Sequence, residues 1–537
     1  MIKTTKNTPF QSLPRADYGL ILGNFDGVHL GHQKLINNFI KECQKNKIEP
    51  VLITFNPHPY VFFCNDDSEF LISTYSSKKE KLLELGLAHI LELEFSEELQ
   101  NMSAENFILK YLFSINNLKL VYLGHDFKLG KGKTDAFKLM DELARDRNIK
   151  ILKEEAYFYN DKLVSSSRIR KAVKNDIKSA NTLLGDSFCL EGNIVKGKGL
   201  GRKSLFRTAN LKPFKNQLLP STGVYLTQII ISDKIYDAIT NIGFNPTVSD
   251  KNLVSIETHI FNFEKDIYGE EVKLNFILKQ RDEIKFENLS ELKFQIQDDI
   301  DAAKIYFREK SPYKLALIGR DISHSKSQDI YEKLFERCVN YSLLDFKVER
   351  DIPTPSELKN SFDGISITSP YKTFFINNVV LDKKELKAIN CLVFNSDSIK
   401  GYNTDYYAIL DILKDFIKTG VDEVFVLGDG VMGSLTCDVL FELGLKFTQL
   451  SRKLKNLDES AILLESKNQK TLVINTCNRD YCFKAPSSGT FKFWDMNYNL
   501  DHHSQLFSKA TFSYTDGMGL LELQAKYALS FWNLKTF

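Results

Sequence analysis

Apolar and polar positions alternate in three rhythms along the chain, and each predicts a different architecture. Up to about residue 185, short apolar runs occur at Tyr18–Leu22, Pro50–Phe55, His89–Leu93 and Leu118–Leu123. Stretches with helical spacing lie between them, such as Leu35, Ile36, Phe39 and Ile40 within residues 33–47. Buried strands alternating with helices predict a parallel α/β sheet. From about 186 to 311 the pattern becomes one-in, one-out, as in 223–231 and 254–261. Glycine-rich turns interrupt it and an amphipathic helix from Leu289 to Phe307 closes it, which predicts a small β-barrel. Ser311-Pro312 breaks that helix. A second α/β rhythm starts at Leu315–Gly319 and runs to the end. The expected domains are 1–185, 186–311, 312–415 and 416–537, with no repeat or low-complexity linker between them.

Composition narrows the class without changing this picture. The chain has 537 residues, 43% hydrophobic and 26% charged, as in soluble multidomain proteins. A net charge of +2 gives no long-range field for nucleic acid. Eight scattered cysteines without a C-x-x-C pair argue against a disulfide scaffold or structural zinc and favour a reduced compartment. The polar first twenty residues predict no signal peptide, and no apolar run is long enough to span a membrane. The expectation is a cytoplasmic protein acting on small molecules, with no nucleic-acid or membrane partner.

The run Gly23-Asn24-Phe25-Asp26-Gly27-Val28-His29-Leu30-Gly31-His32 joins the first strand to the first helix. Such a turn presents backbone N–H groups and the positive end of the helix dipole, which favour phosphate. Two imidazoles there add hydrogen bonds for a nucleotide triphosphate. Three further motifs follow in order: Thr54-Phe55-Asn56-Pro57-His58-Pro59, Leu123 to Gly130, and Val164-Ser165-Ser166-Ser167-Arg168-Ile169-Arg170. The last offers hydroxyls and a guanidinium suited to β- and γ-phosphates. The set resembles the FMN adenylyltransferase module of bacterial riboflavin kinase/FAD synthetases, with a Rossmann-like nucleotidyltransferase fold. That resemblance implies that His29 and His32 contact ATP phosphates. It makes Gly23, Asn24, Phe25, Asp26 and Gly31 the ATP turn, with Asn24 and Asp26 shaping the Mg2+ surroundings. It places Asn56, His58 and Asp126 towards the flavin, and Ser166, Ser167 and Arg168 on the leaving pyrophosphate. The chemistry is positioning and charge stabilisation, without a covalent nucleophile.

In the second segment, glycines at 192, 197, 199 and 201 follow a strand-like run, where backbone amides can approach phosphates. Alone, this pattern equally fits a flexible lysine-bearing hairpin. Thr208-Ala209-Asn210, Glu257-Thr258-His259 and Arg281-Asp282-Glu283 complete a set that resembles a flavokinase barrel. The resemblance implies that Gly197 and Gly199 bind ATP phosphates and that Thr208 and Asn210 hold Mg2+ and phosphate. Glu257 would be the general base for the ribityl hydroxyl of riboflavin, and Arg281 and Glu283 flavin contacts. Two positions depart from the family pattern: Arg207 replaces the proline before Thr208, and Lys196 replaces a histidine before Gly197.

In the third segment, Gly428-Asp429-Gly430-Val431-Met432-Gly433 joins a strand to a helix, and the next strand ends in Ser451-Arg452-Lys453. The glycines suit a dinucleotide pyrophosphate. Basic and hydroxyl groups where an acid would hold the ribose 2′-hydroxyl favour NADP(H) over NAD. The flanking residues resemble shikimate dehydrogenases, which have two α/β lobes, one of them a Rossmann NADP-binding lobe. By that resemblance Lys372 and Asp405 are catalytic. Ser325, Ser327, Thr368, Asn390 and Gln524 would bind shikimate, and Gly428, Gly430, Gly433, Ser451, Arg452 and Met496 would bind NADP. Gln328, Cys391 and Tyr406 depart from the family's proline, threonine and glycine, and Asp429 puts a carboxylate inside the glycine loop.

Together these readings predict a trifunctional enzyme. It would phosphorylate riboflavin to FMN, adenylylate FMN to FAD with ATP and Mg2+, and reduce 3-dehydroshikimate with NADP(H). One alternative keeps the flavin activities and makes the C-terminal region a non-catalytic ligand-binding or interaction module. Another makes the N-terminal half an adenylyltransferase for a pantetheine or nicotinamide phosphate.

Overall fold

The computed structural model describes residues 16–64, 69–87, 89–125, 127–129, 134–197, 206–244, 254–383, 386–454, 456–457, 463–465, 467–483, 490–498 and 513–534. The first apolar runs become strands β1 (Tyr18–Leu22), β2 (Glu49–Phe55), β3 (His89–Leu93), β4 (Leu118–Leu123) and β5 (Lys150–Lys153). They form one parallel sheet in the order β3-β2-β1-β4-β5. The order reverses between β1 and β4, and ligands bind outside the carboxyl ends of strands at such a switch point. Helix α1 (Leu30–Asn46) starts there, burying Leu35, Ile36 and Phe39 against the sheet. Helices α2 (Tyr75–Glu84), α3 (Ser166–Asn175) and α4 (Ile177–Leu184) complete this part.

The alternating segment closes into an antiparallel barrel. Its strands are β6 (Phe188–Val195), β7 (Ala209–Pro213), β8 (Gly223–Ile231), β9 (Lys234–Phe244), β10 (Val254–Ile260) and β11 (Glu271–Arg281). The order is β6-β7-β10-β9-β8-β11, with β11 returning to β6. Alternation sends Leu190, Tyr225, Ile242 and Phe276 into the core. Thr227, Thr240 and Thr258 also point inward, and a chain of hydroxyl bonds of 2.8 and 2.9 Å satisfies them. Helix α5 (Leu289–Glu309) follows.

The chain divides into two compact units, Met1–Ala303 and Lys304–Phe537, so the division falls within α5. In the second unit, β12 (Lys314–Gly319), β13 (Asn340–Asp345), β14 (Gly364–Ile367), β15 (Val380–Leu381), β16 (Cys391–Phe394) and β17 (Ile399–Tyr402) form a mixed sheet. Its order is β13-β12-β14-β16-β17-β15. A parallel sheet follows in the order β19-β18-β20-β21-β22. Its strands are β18 (Glu423–Leu427), β19 (Lys446–Leu450), β20 (Thr471–Asn475), β21 (Lys492–Asp495) and β22 (Ser513–Thr515). Among the described residues this lobe has five parallel strands, with neighbours on both sides of β18, as in doubly wound sheets.

Helices α6 (Ser327–Phe335), α7 (Thr404–Lys418), α8 (Val431–Glu442) and α9 (Met518–Trp532) pack on these sheets. Helix α9 serves both lobes. Leu520 joins the core under β18, while Ala525, Leu529 and Trp532 join the core under β12. Trp532 lies where a side chain at Gly364 would collide with it, and its indole N–H donates to the Leu392 carbonyl at 2.8 Å. The last helix is therefore a shared spine rather than part of the second lobe alone.

Candidate active sites

Between β1 and α1 the backbone takes left-handed φ at Phe25 (+50°), Gly27 (+79°) and Val28 (+40°). Such a conformation is rare for a β-branched residue and must be held by its surroundings. Asp26, 4% exposed, is the brace. Its carboxylate accepts the N–H groups of Ile72 at 3.0 Å and Ser73 at 3.3 Å and the Arg170 guanidinium at 2.5 Å. Burial raises its pKa, while Arg170 and the two amides pull against that shift. The Gly27 N–H donates to Ser73 Oγ at 3.2 Å. Asp26 thus shapes the turn rather than facing an open site.

His29 caps α1: its Nδ1 accepts the His32 N–H at 3.3 Å, and the two rings stack 3.6 Å apart. A Cβ at Gly31 would lie 3.3 Å from the His29 ring, so glycine keeps the pair close. Burial, then the charges of His29, Lys78 and Arg170, hold His32 well below the ordinary imidazole pKa. His58 is pushed down to about 3 by burial, with Arg170 and Lys78 adding to the effect. Both rings are therefore neutral near pH 7. His32 Nδ1 and Asn24 Oδ1 are buried without a hydrogen-bond partner among the described residues, as a polar ligand site requires. Gly23 and the buried Phe25 floor the turn, with the Phe25 ring edge-on to His32 at 5.2 Å.

The other expected contacts are distributed unevenly. Ser166 Oγ donates to the Asp26 carbonyl at 3.3 Å, and Ser167 is exposed on the first turn of α3. The Arg168 guanidinium instead holds the carbonyls of Lys162 (2.8 Å) and Leu163 (3.2 Å), while Arg170, two residues on, reaches the turn. Asn56 extends the sheet edge through backbone bonds to Leu93 and Phe95. The backbone N–H of His58 donates to the Tyr75 hydroxyl at 2.6 Å, and its Nδ1 accepts the Tyr60 N–H at 3.0 Å. Asp126 and Gly199 lie outside the described residues. Sequence reasoning missed Lys78, which is buried on α2 and donates to the Asn24 carbonyl at 3.2 Å and Thr54 Oγ1 at 3.1 Å.

On the barrel, Asn210 of β7 lies directly across from Glu257 of β10, which in turn opposes Asn241 of β9. Because Thr258 points into the core, this row faces outward, at the barrel wall. Glu257 accepts the Ser255 hydroxyl at 3.0 Å. A Cβ at Gly197 would come within 2.5 Å of the Asn210 amide, so the glycine segment lies over it. Glu283 meets the same wall, its carboxylate 2.8 Å from where a Gly243 Cβ would be. Thr208, Asn210 and Glu257 offer only oxygen donors of the hard kind that suits Mg2+ beside substrate phosphates. Arg281 does not join them: Asp299 of α5 binds its guanidinium at 2.9 and 2.6 Å.

In the second unit a cavity of about 680 Å3 is lined by both lobes, a volume ordinary for a small-molecule site. Ser325, Ser327, Thr368, Lys372, Asn390, Asp405, Met496 and Gln524 all line it, as does Gly430 of the glycine turn. In its lining Lys372 Nζ donates to Asp405 Oδ2 at 2.6 Å, with Asp405 only 2% exposed. Asn390 Oδ1 accepts the Thr404 N–H at 2.6 Å and so fixes the start of α7 beside Asp405. Ser325 Oγ donates to Ser327 Oγ at 3.1 Å.

The glycine turn fits a dinucleotide. Gly428 has φ +107°, and a Cβ at Gly433 would lie 2.5 Å from the Gly428 carbonyl. A Cβ at Gly430 would meet nothing, and no side chain caps α8, so that space and those N–H groups remain for a ligand. Asp429 and Arg452 are exposed. Ser451 is buried, its Oγ accepting the Leu454 N–H at 3.1 Å, which makes it an internal cap rather than a surface for a ribose phosphate.

Two families match. FAD synthetase covers residues 15–168 and riboflavin kinase residues 184–307. The bifunctional riboflavin kinase/FMN adenylyltransferase of Buchnera aphidicola from Schizaphis graminum is 37% identical over 290 residues, 53% of this chain and 93% of that protein. The Bacillus subtilis protein of the same name is 33% identical over 54% of this chain and 92% of its own length. A solved structure of a macrolide-efflux protein from Streptococcus pneumoniae aligns at 27% identity and TM-score 0.51, over 56% of this chain and 98% of that one. Shikimate dehydrogenase from Aquifex aeolicus aligns at 20% identity and TM-score 0.35, over 42% of this chain and 94% of that one. With a buried histidine turn on the first sheet and the two family matches in sequence order, the chain belongs to the bifunctional riboflavin kinase/FMN adenylyltransferase family.

Proposed function

We propose that the chain makes FMN from riboflavin at the barrel, converts FMN to FAD at the His29–His32 turn, and reduces 3-dehydroshikimate in the cavity of its second unit. The observation that carries the first two is the pair of family matches; the one that carries the third is the buried Lys372–Asp405 pair. The four segments 1–185, 186–311, 312–415 and 416–537 would then be the adenylyltransferase, the kinase, the shikimate-binding lobe and the NADP lobe.

At the barrel, Glu257 accepts the proton of the ribityl hydroxyl as its oxygen bonds to the γ-phosphorus of ATP and ADP leaves. Asn210 and Thr208 would hold phosphate and Mg2+, and the absence of a side chain at Gly197 lets the glycine segment lie against Asn210. At the turn, an FMN phosphate oxygen bonds to the α-phosphorus of ATP while the α–β anhydride breaks and pyrophosphate leaves. His29 and His32 hydrogen-bond the triphosphate, and burial keeps the His32 ring neutral in the free protein. Arg170, through Asp26, keeps the strained turn in place.

In the cavity, Ser325 and Ser327 suit a carboxylate, and Thr368, Asn390 and Gln524 suit ring hydroxyls. Lys372 donates the proton that the carbonyl oxygen acquires on reduction, and Asp405 orients the ammonium. Bound NADPH supplies the hydride, and Gly428, Gly430, Gly433 and Met496 would hold it.

The test is to supply the purified chain with riboflavin, ATP and Mg2+, and separately with 3-dehydroshikimate and NADPH. FMN followed by FAD, and NADPH oxidation dependent on 3-dehydroshikimate, are the expected outcomes. FAD formation without NADPH oxidation would make the second unit a binding module.

A further inference from the structure

Lys78 has unusual surroundings for a lysine. It is 5% exposed, and its Nζ donates only to neutral acceptors, the Asn24 carbonyl and Thr54 Oγ1, with the Tyr75 ring 5.1 Å away. Among the described residues no carboxylate lies within ion-pair distance of it. The buried carboxylate of the turn, Asp26, is already paired with Arg170. Burying an ammonium without a counter-charge is costly, so the site is built for an anion that arrives later.

Two neighbours point the same way. Asn24 carries the carbonyl that Lys78 holds, and its side-chain Oδ1 is buried without a partner, as is His32 Nδ1. The Lys78 ammonium on α2 therefore meets the His32 imidazole and the orphaned polar atoms of the turn that opens α1. Helix α2 is itself pinned from the barrel. The hydroxyls of Thr74 (2.9 Å) and Ser77 both bond the buried carboxylate of Glu191 on β6, and Lys78 is the next residue. The kinase barrel thus fixes the helical turn that delivers this ammonium.

We propose that Lys78 is a positioning residue for adenylyl transfer: held by Asn24 and Thr54, its ammonium stabilises the triphosphate seated on the Asn24–His32 turn. During the reaction a bond forms from an FMN phosphate oxygen to the α-phosphorus and the α–β anhydride bond breaks. The electron pair leaves with pyrophosphate, and Lys78 acts on the bound triphosphate through its field and through the turn. The inference rests on the adenylyl-transfer reading of the site, which wild-type FAD formation checks separately.

The experiment compares full-length wild type, Lys78→Met and Lys78→Arg. It measures FAD formation from FMN and ATP, KM for each substrate, riboflavin phosphorylation and thermal melting. Lys78→Met should lose about 10- to 100-fold in kcat/KM for ATP, the range of one hydrogen-bonded charge. The loss should fall on KM for ATP, with KM for FMN and riboflavin phosphorylation unchanged and melting no lower than wild type. Lys78→Arg should recover most of it. An unchanged KM for ATP in Lys78→Met overturns the proposal. So does a joint loss of melting temperature and both flavin activities, which marks a structural role. Absence of FAD from the wild type overturns the site reading and the proposal with it.

Discussion

Two turns of this chain join a parallel strand to a helix at the reversal of a sheet, yet they are built in opposite ways. The Gly428–Gly433 turn is bare: glycines supply the left-handed φ and the close approach, and backbone N–H groups remain for the ligand. The Gly23–His32 turn is crowded with side chains and puts Phe25 and Val28 in left-handed conformations. A turn that only holds a cofactor can be made of glycine. One that also supplies imidazoles and amides must carry side chains, and distant residues must then brace it. Asp26, Arg170, Ile72 and Ser73 are that brace.

The contrast is broken most strongly by removing the chemistry from each site. Lys372→Met should lower NADPH oxidation about 10²- to 10⁴-fold, the range for a lost proton donor, without touching FAD formation. His32→Ala should lower FAD formation by about 10²–10³-fold, as for loss of a preorganised contact to developing charge, and leave riboflavin phosphorylation intact. Steady-state rates for each activity check both.

How much of this was legible in the sequence follows from the same contrast. The glycine turn, the histidine turn and the strand runs could be read because local spacing encodes them, as at Tyr18–Leu22 and Lys446–Leu450. The braces could not. Lys78 lies on an unremarkable lysine-rich helix, and only the fold brings it under Asn24. Arg168 and Arg170 share one motif, but helical geometry sends the first to a hairpin and the second to Asp26. Ser451 and Arg281 have residue types that suit phosphate or flavin, but the folded chain uses them as a cap and as an ion-pair partner. The apolar positions of helix α9 do not say which core they enter, and the folded helix enters both.

Smaller effects sharpen the account. Arg170→Ala should destabilise the first unit by about 3–5 kcal/mol, because it strands a buried carboxylate. Arg168→Ala, which loses bonds at a partly exposed hairpin, should cost about 1 kcal/mol or less. Denaturant unfolding separates the two. The smallest expected signal is in pH dependence. Burial lowers Lys78 to about 8, against attraction from Asp26 and Glu92. Its neighbours Tyr75, His58, His32 and Arg170 carry no opposing charge at that pH. Between about pH 8 and its unfolded value of about 10.4 the unfolded chain binds the extra proton, so this group makes stability rise with pH. Affinity for ATP should fall as pH rises through about 8, where the folded protein loses the ammonium. Melting and KM for ATP, measured between pH 7 and 10 in wild type and Lys78→Arg, show whether the two trends diverge in the wild type alone.

The claim that the second unit is an enzyme rather than a retained fold is tested most directly in the reverse direction. Shikimate and NADP+ are given to the wild type and to Lys372→Met, and NADPH is followed by its fluorescence. NADPH formation by the wild type that falls about 10²- to 10⁴-fold in the variant is the predicted result. Equal traces from the two proteins would contradict it.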